Sequence, residues 1–314
     1  MTLQRRLLFL LSLAAIPWAV PPLAHACPPM QEAEAARRAG DVEALKRGHM
    51  AAMATVRCTP EDIVEISRMV AVSSLEVSRS LPPAQAVTML EEGARRNRQV
   101  WQLYGRLGEL YSDMNRNAEA ARAFETALTI IGDEDSTPAA PADSVINDLI
   151  ERAKESRQLA EGYLTPVKDR AGEPGGLWAD NVRGVVVGDV AVPIRFEYDS
   201  AQMTPDGLRA AQDMAEILKA QGKTAVVLSG HTDSDGEDAY NCKLSRDRLE
   251  EARKRLKEYG FTGEVRIVAK GERQPAVIRN SQRYTPDQIK AQNRRVEYLR
   301  NTGNEAKVMA NACS

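Results

Sequence analysis

An acid and a base of opposite charge flank one loop of this sequence. Asp233 follows the apolar run Ala225–Leu228, which predicts a buried strand, and Arg248 comes 15 positions later in a stretch with helical periodicity. Ser245 is predicted to cap the start of that helix, which places Arg248 in its first turn, where free backbone N–H groups attract anions. A carboxylate and a guanidinium facing each other across a loop suit a ligand that carries both an ammonium and a carboxylate.

Six short motifs surround this loop in a fixed order. They are Ile194-x-Phe196, Gly230-His231-Thr232-Asp233, Tyr240-Asn241, Leu244-Ser245-x-x-Arg248, Gly271-x-x-x-Pro275 and Asn293-Arg294-Arg295-Val296. In order and spacing they resemble the peptidoglycan-binding domain of the OmpA-like family, which is shared with Pal and the flagellar stator protein MotB. The resemblance covers residues 190–301, and it is specific because several motifs match together.

The resemblance implies a ligand, the free end of diaminopimelate in the peptidoglycan stem peptide. It implies that Asp233 binds the ammonium of this ligand and that Arg248 binds its carboxylate. The alternative is a plain ion pair between these two side chains that holds the loop to the helix. His231 is expected to order the loop through a hydrogen bond. The further residues expected to touch the ligand or hold the loop are Thr232, Asn241, Leu244 and Arg294.

Other chemistries find no support in the sequence. His49 and His231 fall in different halves of the chain, which argues against a histidine-rich metal site. The acids that follow Asp233 lack the glycine and glutamate positions of a calcium-binding EF-hand loop. Phosphate-binding, nucleophile-elbow and dinucleotide-binding motifs are not found. We therefore expect no metal, no cofactor and no catalysis.

Length and charge limit the organisation of the chain. Its 314 residues suffice for about two domains, and 43% hydrophobic with 27% charged residues is an ordinary globular composition. Residues 27–165 contain 16 basic and 22 acidic residues, whereas residues 190–301 contain 20 and 17. Neither part is basic enough to predict a nucleic-acid partner.

The first 26 residues have the pattern of a secretory signal peptide. Arg5 and Arg6 precede the apolar run Leu7–Val20, and Ala24-His25-Ala26 forms a small-x-small cleavage site. We therefore expect a periplasmic protein that is attached to the cell wall or the outer membrane. An acylated Cys27, as in a lipoprotein, is the less favoured alternative.

Four cysteines follow the predicted cleavage site. An even number in an exported chain indicates disulfides. Because two lie in each half, the pairs Cys27–Cys58 and Cys242–Cys313 are favoured. The second pair would hold the C-terminal tail beside the binding loop. A reactive thiol at Cys242 is the alternative.

Residues 27–165 have a helical pattern. Within 101–134, large and small residues alternate as in a tetratricopeptide repeat, with Gly108 and Ala120 allowing two helices to approach and Tyr111 and Phe124 filling the space between them. A weaker copy precedes it. Such a stack offers a surface for a protein partner, although its helices could instead pack only on one another.

The predicted fold is therefore α+β. A signal peptide (1–26) precedes a tetratricopeptide-like helical domain (27–165), a linker (166–189), a βαβαβ sandwich of the OmpA-like type (190–301) and a C-terminal tail (302–314). Residues 185–187 and 189–194 are expected to pair as a hairpin.

The leading hypothesis for function is a non-catalytic adaptor. Its C-terminal domain would hold peptidoglycan through diaminopimelate, and its helical domain would recruit a protein partner. The alternatives are a cell-wall hydrolase or a regulatory subunit of one, with Glu109 and Asp113 as an acid pair one helical turn apart, and a purely structural envelope scaffold.

Overall fold

The computed structural model describes residues 27–160, 162–278, 281–300 and 303–313, with only the backbone of Arg283. The predicted signal peptide lies outside these residues. The first half of the described chain is a succession of antiparallel helices that pack on their neighbours in sequence. They are α1 (Pro28–Ala39), α2 (Val42–Met53), α3 (Pro60–Ser78), α4 (Pro83–Arg96), α5 (Trp101–Asp113), α6 (Asn117–Gly132) and α7 (Asp143–Leu159).

Local sequence signals explain several of these helices. Thr59 and Asp62 form a capping box at the start of α3, each side chain accepting a hydrogen bond from the other's backbone N–H. The α5–α6 pair depends on Gly108, because a Cβ there would lie 2.5 Å from the ring of Phe124. The helices thus occur where the alternation of large and small residues predicts them. Their assignment as tetratricopeptide repeats stays a prediction.

The segment between the two halves packs against both of them. A short 3-10 turn, Gly176–Trp178, precedes a hairpin of β1 (Asn181–Val182) and β2 (Val185–Val186). The hairpin predicted from residues 185–187 and 189–194 is therefore wrong in its pairing. Arg183 and Gly184 have positive φ values, which suit a tight turn and close the hairpin one strand earlier.

A mixed four-stranded sheet forms the second half. Its strands are β3 (Val190–Val192), β4 (Ala225–His231), β5 (Glu264–Gly271) and β6 (Val296–Leu299), arranged in the order β3-β6-β4-β5. Strands β4 and β5 are parallel, and β6 runs antiparallel to both β3 and β4. The helices are α8 (Pro205–Ala220), α9 (Asp238–Glu258), α10 (Pro286–Asn293) and α11 (Glu305–Met309). The predicted α+β class is confirmed.

The sheet is covered on both faces. Helices α8 and α9 supply Met214, Leu218 and Leu249 to a core that includes Leu228 of β4. On the opposite face, Val308 of α11 packs on a small apolar cluster in β4, β5 and β6. The side chains of successive strand residues alternate between these faces, so one strand serves both. None of the helices in the described ranges is long and apolar enough to cross a membrane.

Candidate functional site

A small cavity of about 80 Å³ lies at the carboxyl end of β4. One wall comes from the segment that includes Ile194 and Phe196, and another from α9 with Ser245 and Arg248. Residues 294–296, at the start of β6, complete the lining. Four of the six motifs that carry the family resemblance thus contribute residues to one cavity, although they span about a hundred residues of sequence. Asp233, Tyr240-Asn241 and Gly271-x-x-x-Pro275 lie outside its lining.

Arg248 is a buried charged group of this cavity that is held by two contacts. The residue is only 9% exposed. Its Nε donates a hydrogen bond of 2.9 Å to the carbonyl oxygen of Ser200, and its guanidinium lies 5.2 Å from the centre of the Phe196 ring. Burial lowers the pKa of Arg248 below its usual value, the charge of Arg294 acts in the same direction, and Asp233 opposes the shift. A buried guanidinium of this kind favours contact with an anion.

Asp233 does not supply that contact. Its carboxylate accepts a hydrogen bond from the guanidinium of Arg294 and another, at 3.2 Å, from the backbone N–H of Asp235. Across the described residues, no ion pair joins Asp233 to Arg248. The alternative of a direct loop-to-helix ion pair between the two is therefore not what the structure contains. The base that pairs with Asp233 is Arg294, 61 positions away in sequence.

The prediction that Ser245 caps the helix is wrong. Helix α9 begins at Asp238, without a side-chain cap, and Ser245 is fully buried inside it. Its hydroxyl donates to the carbonyl of Cys242 at 2.9 Å and accepts the backbone N–H of Gly271 at 3.1 Å. Arg248 therefore lies in the third turn, too far from the helix start for free backbone N–H groups to assist it. Ser245 instead holds the helix to the end of β5.

Asn241 and Thr232 hold the loop. The Nδ2 of Asn241 donates to the carbonyl of Asp235 at 3.1 Å and to the carboxylate of Glu272 at 2.7 Å. The backbone N–H of Thr232 donates to the carbonyl of Gly271 at 2.9 Å, while its buried hydroxyl has no hydrogen-bond partner among the described residues. Leu244 is half-buried on α9. Contacts of these three residues with a ligand stay predictions.

Long-range ion pairs fix the rest of the loop, and sequence reasoning missed them. Lys290 of α10 lies 2.8 Å from the carboxylate of Asp235. Arg273, just after β5, grips Asp238 with two hydrogen bonds of 2.9 and 2.7 Å. These partners are 55 and 35 residues apart, and no local spacing rule connects them. Asp235 and Asp238 are thus ionic partners of distant bases.

His231 belongs to a buried polar cluster on the face of the sheet opposite α8 and α9. Its Nε2 lies 3.1 Å from the Ser229 hydroxyl and 3.4 Å from the Glu297 carboxylate. Burial lowers the pKa of His231, and Arg295 adds to that shift while Glu297 opposes it. For Glu297, burial raises the pKa, but His231 and Arg295 outweigh it, so the pKa falls well below its ordinary range. The structure thus gives His231 hydrogen-bonded partners at the end of β4.

Both favoured disulfides form. Cys27 is bonded to Cys58, and Cys242 to Cys313. The backbone N–H of Cys313 also donates to the carbonyl of Ala269 at 2.8 Å, which extends the edge of β5. The tail is therefore fixed beside the loop, and Cys242 is not a free thiol.

Comparison with known proteins decides the family of this half. Residues 195–287 match the OmpA family. The chain therefore carries an OmpA-family domain at its carboxyl end. The peptidoglycan-associated lipoprotein of Pseudomonas putida is 38% identical over 103 residues, which are 32% of this chain and 58% of that protein. Outer membrane porin F of Pseudomonas aeruginosa is 36% identical over 88 residues, or 27% of this chain and 25% of that protein.

These matches leave much of each relative uncovered, since the chain spans 58% of the first and 25% of the second. Their names refer to the peptidoglycan and the outer membrane, which agrees with the predicted location in the cell envelope. Among solved structures, the peptidoglycan-associated lipoprotein of Burkholderia pseudomallei matches at 24% identity and a TM-score of 0.29. It covers 36% of this chain and 88% of that one.

Proposed function

We propose that this protein is a non-catalytic, periplasmic peptidoglycan-binding protein. Its OmpA-family domain attaches to the cell wall through diaminopimelate of the stem peptide, and its helical half recruits a protein partner. The observation that carries the proposal is Arg248, a buried guanidinium at a cavity, with no carboxylate paired to it among the described residues. A carboxylate ligand would supply the missing counter-charge.

Asp233 is the proposed contact for the ammonium of the same ligand. A carboxylate with a side chain 13% exposed is accessible to a ligand ammonium, and it is held in place by the backbone N–H of Asp235. Arg294 pairs with this carboxylate, and its own side chain is 45% exposed. A ligand ammonium would replace this guanidinium as the partner of the carboxylate.

The number of charged contacts sets the affinity. Hydrogen bonds to charged groups contribute about 1.5–3 kcal/mol each. Two such contacts sum to about 3–6 kcal/mol, which supports weak binding with a Kd between about millimolar and tens of micromolar. Retention on the wall then follows from many ligands on one polymer.

Co-sedimentation with purified sacculi tests the proposal. The mature chain is expected to pellet with sacculi, and soluble meso-diaminopimelate is expected to release it. Asp233→Ala and Arg248→Ala should each lower the affinity at least about tenfold, because each removes one charged contact. Asp247→Ala and Arg253→Ala, on the same helix α9 but outside the cavity lining, are the matched controls.

Two outcomes would overturn the proposal. Wild type and all four variants could pellet alike while remaining folded by circular dichroism, which would exclude Asp233 and Arg248 from wall binding. Alternatively, soluble muropeptides could appear in the supernatant in proportion to the added protein, which would show a hydrolase.

A further inference from the structure

A groove of about 460 Å³ lies between three helices of the N-terminal half. Its walls include Arg79, which directly follows the last residue of α3, together with Trp101 and Arg106 of α5 and Val145 and Arg152 of α7. We call it the α3–α5–α7 groove. Its volume is within the roughly 300–1,000 Å³ of typical ligand pockets, which is room for a few side chains of a peptide.

One basic side chain of the groove has no acidic partner among the described residues. Arg106 lies 2.9 Å from the carboxylate of Glu109, and Arg152 lies 2.6 Å from that of Asp148. Arg79 is exposed and has no acidic partner among the described residues. The groove is therefore net positive by one charge, within a region of 16 basic and 22 acidic residues. An occupant with a single negative charge at Arg79 matches this balance, whereas a polyanion would meet Glu109 and Asp148.

Apolar surface lies next to that charge. Trp101 is half-buried, and Val145 is 38% exposed. Below them, Leu149 and Phe124 form a buried apolar floor. Trp101 and Val145 also belong to the first turns of α5 and α7, and neither helix has a side-chain cap.

We propose that the α3–α5–α7 groove binds an extended segment of a partner protein in which an acidic side chain lies close to an aromatic or aliphatic one. The acid contacts Arg79, and the apolar side chain packs on Trp101 and Val145. This inference depends on the proposed role of the helical half in recruiting a partner, and it specifies the chemistry of that partner. An isolated aromatic contact on Trp101 together with one charged contact resembles the anchor arrangement of protein interfaces.

A display library of short random peptides provides the probe. Peptides are selected on the mature, oxidised chain and then sorted by loss of binding to Arg79→Glu. The selected peptides are expected to carry an Asp or Glu near an apolar residue. The best one is synthesised with acetylated and amidated ends, so that only its acidic side chain is negative, together with its Asn or Gln analogue.

A double-mutant cycle then isolates the contact. Arg79→Glu is expected to weaken binding of the acidic peptide about tenfold or more, and the neutral analogue to bind wild type similarly weakly. The neutral analogue should bind wild type and Arg79→Glu about equally. Val145→Glu should also weaken binding, because it puts a second acid beside the peptide. Arg95→Glu, an exposed arginine on α4 outside this groove, is the charge-matched control.

The inference is overturned if no selected peptide depends on the groove, or if the acidic peptide and its neutral analogue lose the same affinity on Arg79→Glu. All variants are checked by circular dichroism. Their sedimentation with sacculi should equal that of wild type. If the protein sediments with sacculi but no peptide binds the groove, only the groove proposal is rejected. If the wild type does not sediment with sacculi, the proposed wall attachment is rejected.

Discussion

At the scale of single residues, Arg248 combines features that a lysine lacks. Its planar guanidinium lies over Phe196 while its Nε is fixed on the Ser200 carbonyl, so the remaining N–H groups are oriented before any ligand arrives. A carboxylate can then accept two parallel hydrogen bonds at no further cost in side-chain ordering. Burial, which lowers the pKa of Arg248, strengthens this preference for an anion.

Replacing Arg248 by lysine tests whether geometry or charge binds the ligand. Arg248→Lys retains the positive charge but loses the planar set of guanidinium N–H donors and the stacking on Phe196. We expect the affinity for meso-diaminopimelate, measured by isothermal titration calorimetry, to fall about tenfold or more, since a lost charged hydrogen bond costs about 1.5–3 kcal/mol.

Arg253→Lys is the control for this substitution. Arg253 is exposed on the same helix and pairs only with Glu250 among the described residues, so its replacement should leave the affinity unchanged. If Arg248→Lys binds as tightly as wild type, the positive charge alone is sufficient and the planar geometry of the guanidinium has no role.

At the scale of elements, the loop after β4 is held from three directions. Asn241 of α9 binds the Asp235 carbonyl and Glu272. The backbone N–H of Thr232 donates to the Gly271 carbonyl at the end of β5, and Lys290 of α10 pairs with Asp235. The fourth attachment is the tail, through the Cys242–Cys313 disulfide. Because the first three do not involve the tail, the disulfide contributes to stability more than to the shape of the site.

The paired substitutions Cys242→Ser and Cys313→Ser separate these contributions. The disulfide joins residues 71 positions apart. Its removal should lower the free energy of unfolding, measured in urea, by about 2–4 kcal/mol through the entropy of the unfolded chain. The affinity for meso-diaminopimelate should stay within about twofold of wild type.

The corresponding Cys27→Ser and Cys58→Ser pair is the control, because it removes a disulfide from the helical half only. A large loss of ligand affinity in the Cys242 and Cys313 variant, with the domain still folded, would show that the tail shapes the site.

Much of each element could be predicted from local sequence, and the errors arose where contacts are distant. The Thr204 cap of α8 and the strand after Thr224 follow local rules. The start of α9 did not, because Ser245 resembles a cap but is satisfied by Gly271 across the fold. Asp233 and Arg294 are 61 positions apart and form an ion pair. The motifs predict that both lie in the same region, but no local rule predicts that they pair with each other.

At the scale of the whole molecule, one turn joins the two halves. Leu177 is fully buried in the core of the helical half, and the adjacent Trp178 is buried in the core of the sheet. Helix α7 also meets α10, where the Tyr284 hydroxyl donates to Glu155 at 2.6 Å. The chain predicted as a linker therefore contributes to both cores, while the predicted domain boundaries stay a prediction.

Beneath this junction, Glu125 of α6 and Arg157 of α7 form an ion pair with both side chains 2% exposed. Gly176 packs directly on Glu125, since a Cβ there would lie 2.8 Å from that of the glutamate. Burial raises the pKa of Glu125, and Arg157 opposes the shift. The pair is costly to bury but costlier to break, because loss of one partner leaves the other charge buried and unpaired.

Glu125→Gln should therefore destabilise the protein strongly. It leaves the Arg157 charge buried without a counter-charge, and loss of one partner of a buried pair costs about 3–5 kcal/mol. The free energy of unfolding in urea measures this loss. Glu119→Gln on the same helix removes an exposed pair with Arg116 and should change stability by at most about 1 kcal/mol. Equal effects of the two substitutions would mean that Glu125 is not charged in the folded protein.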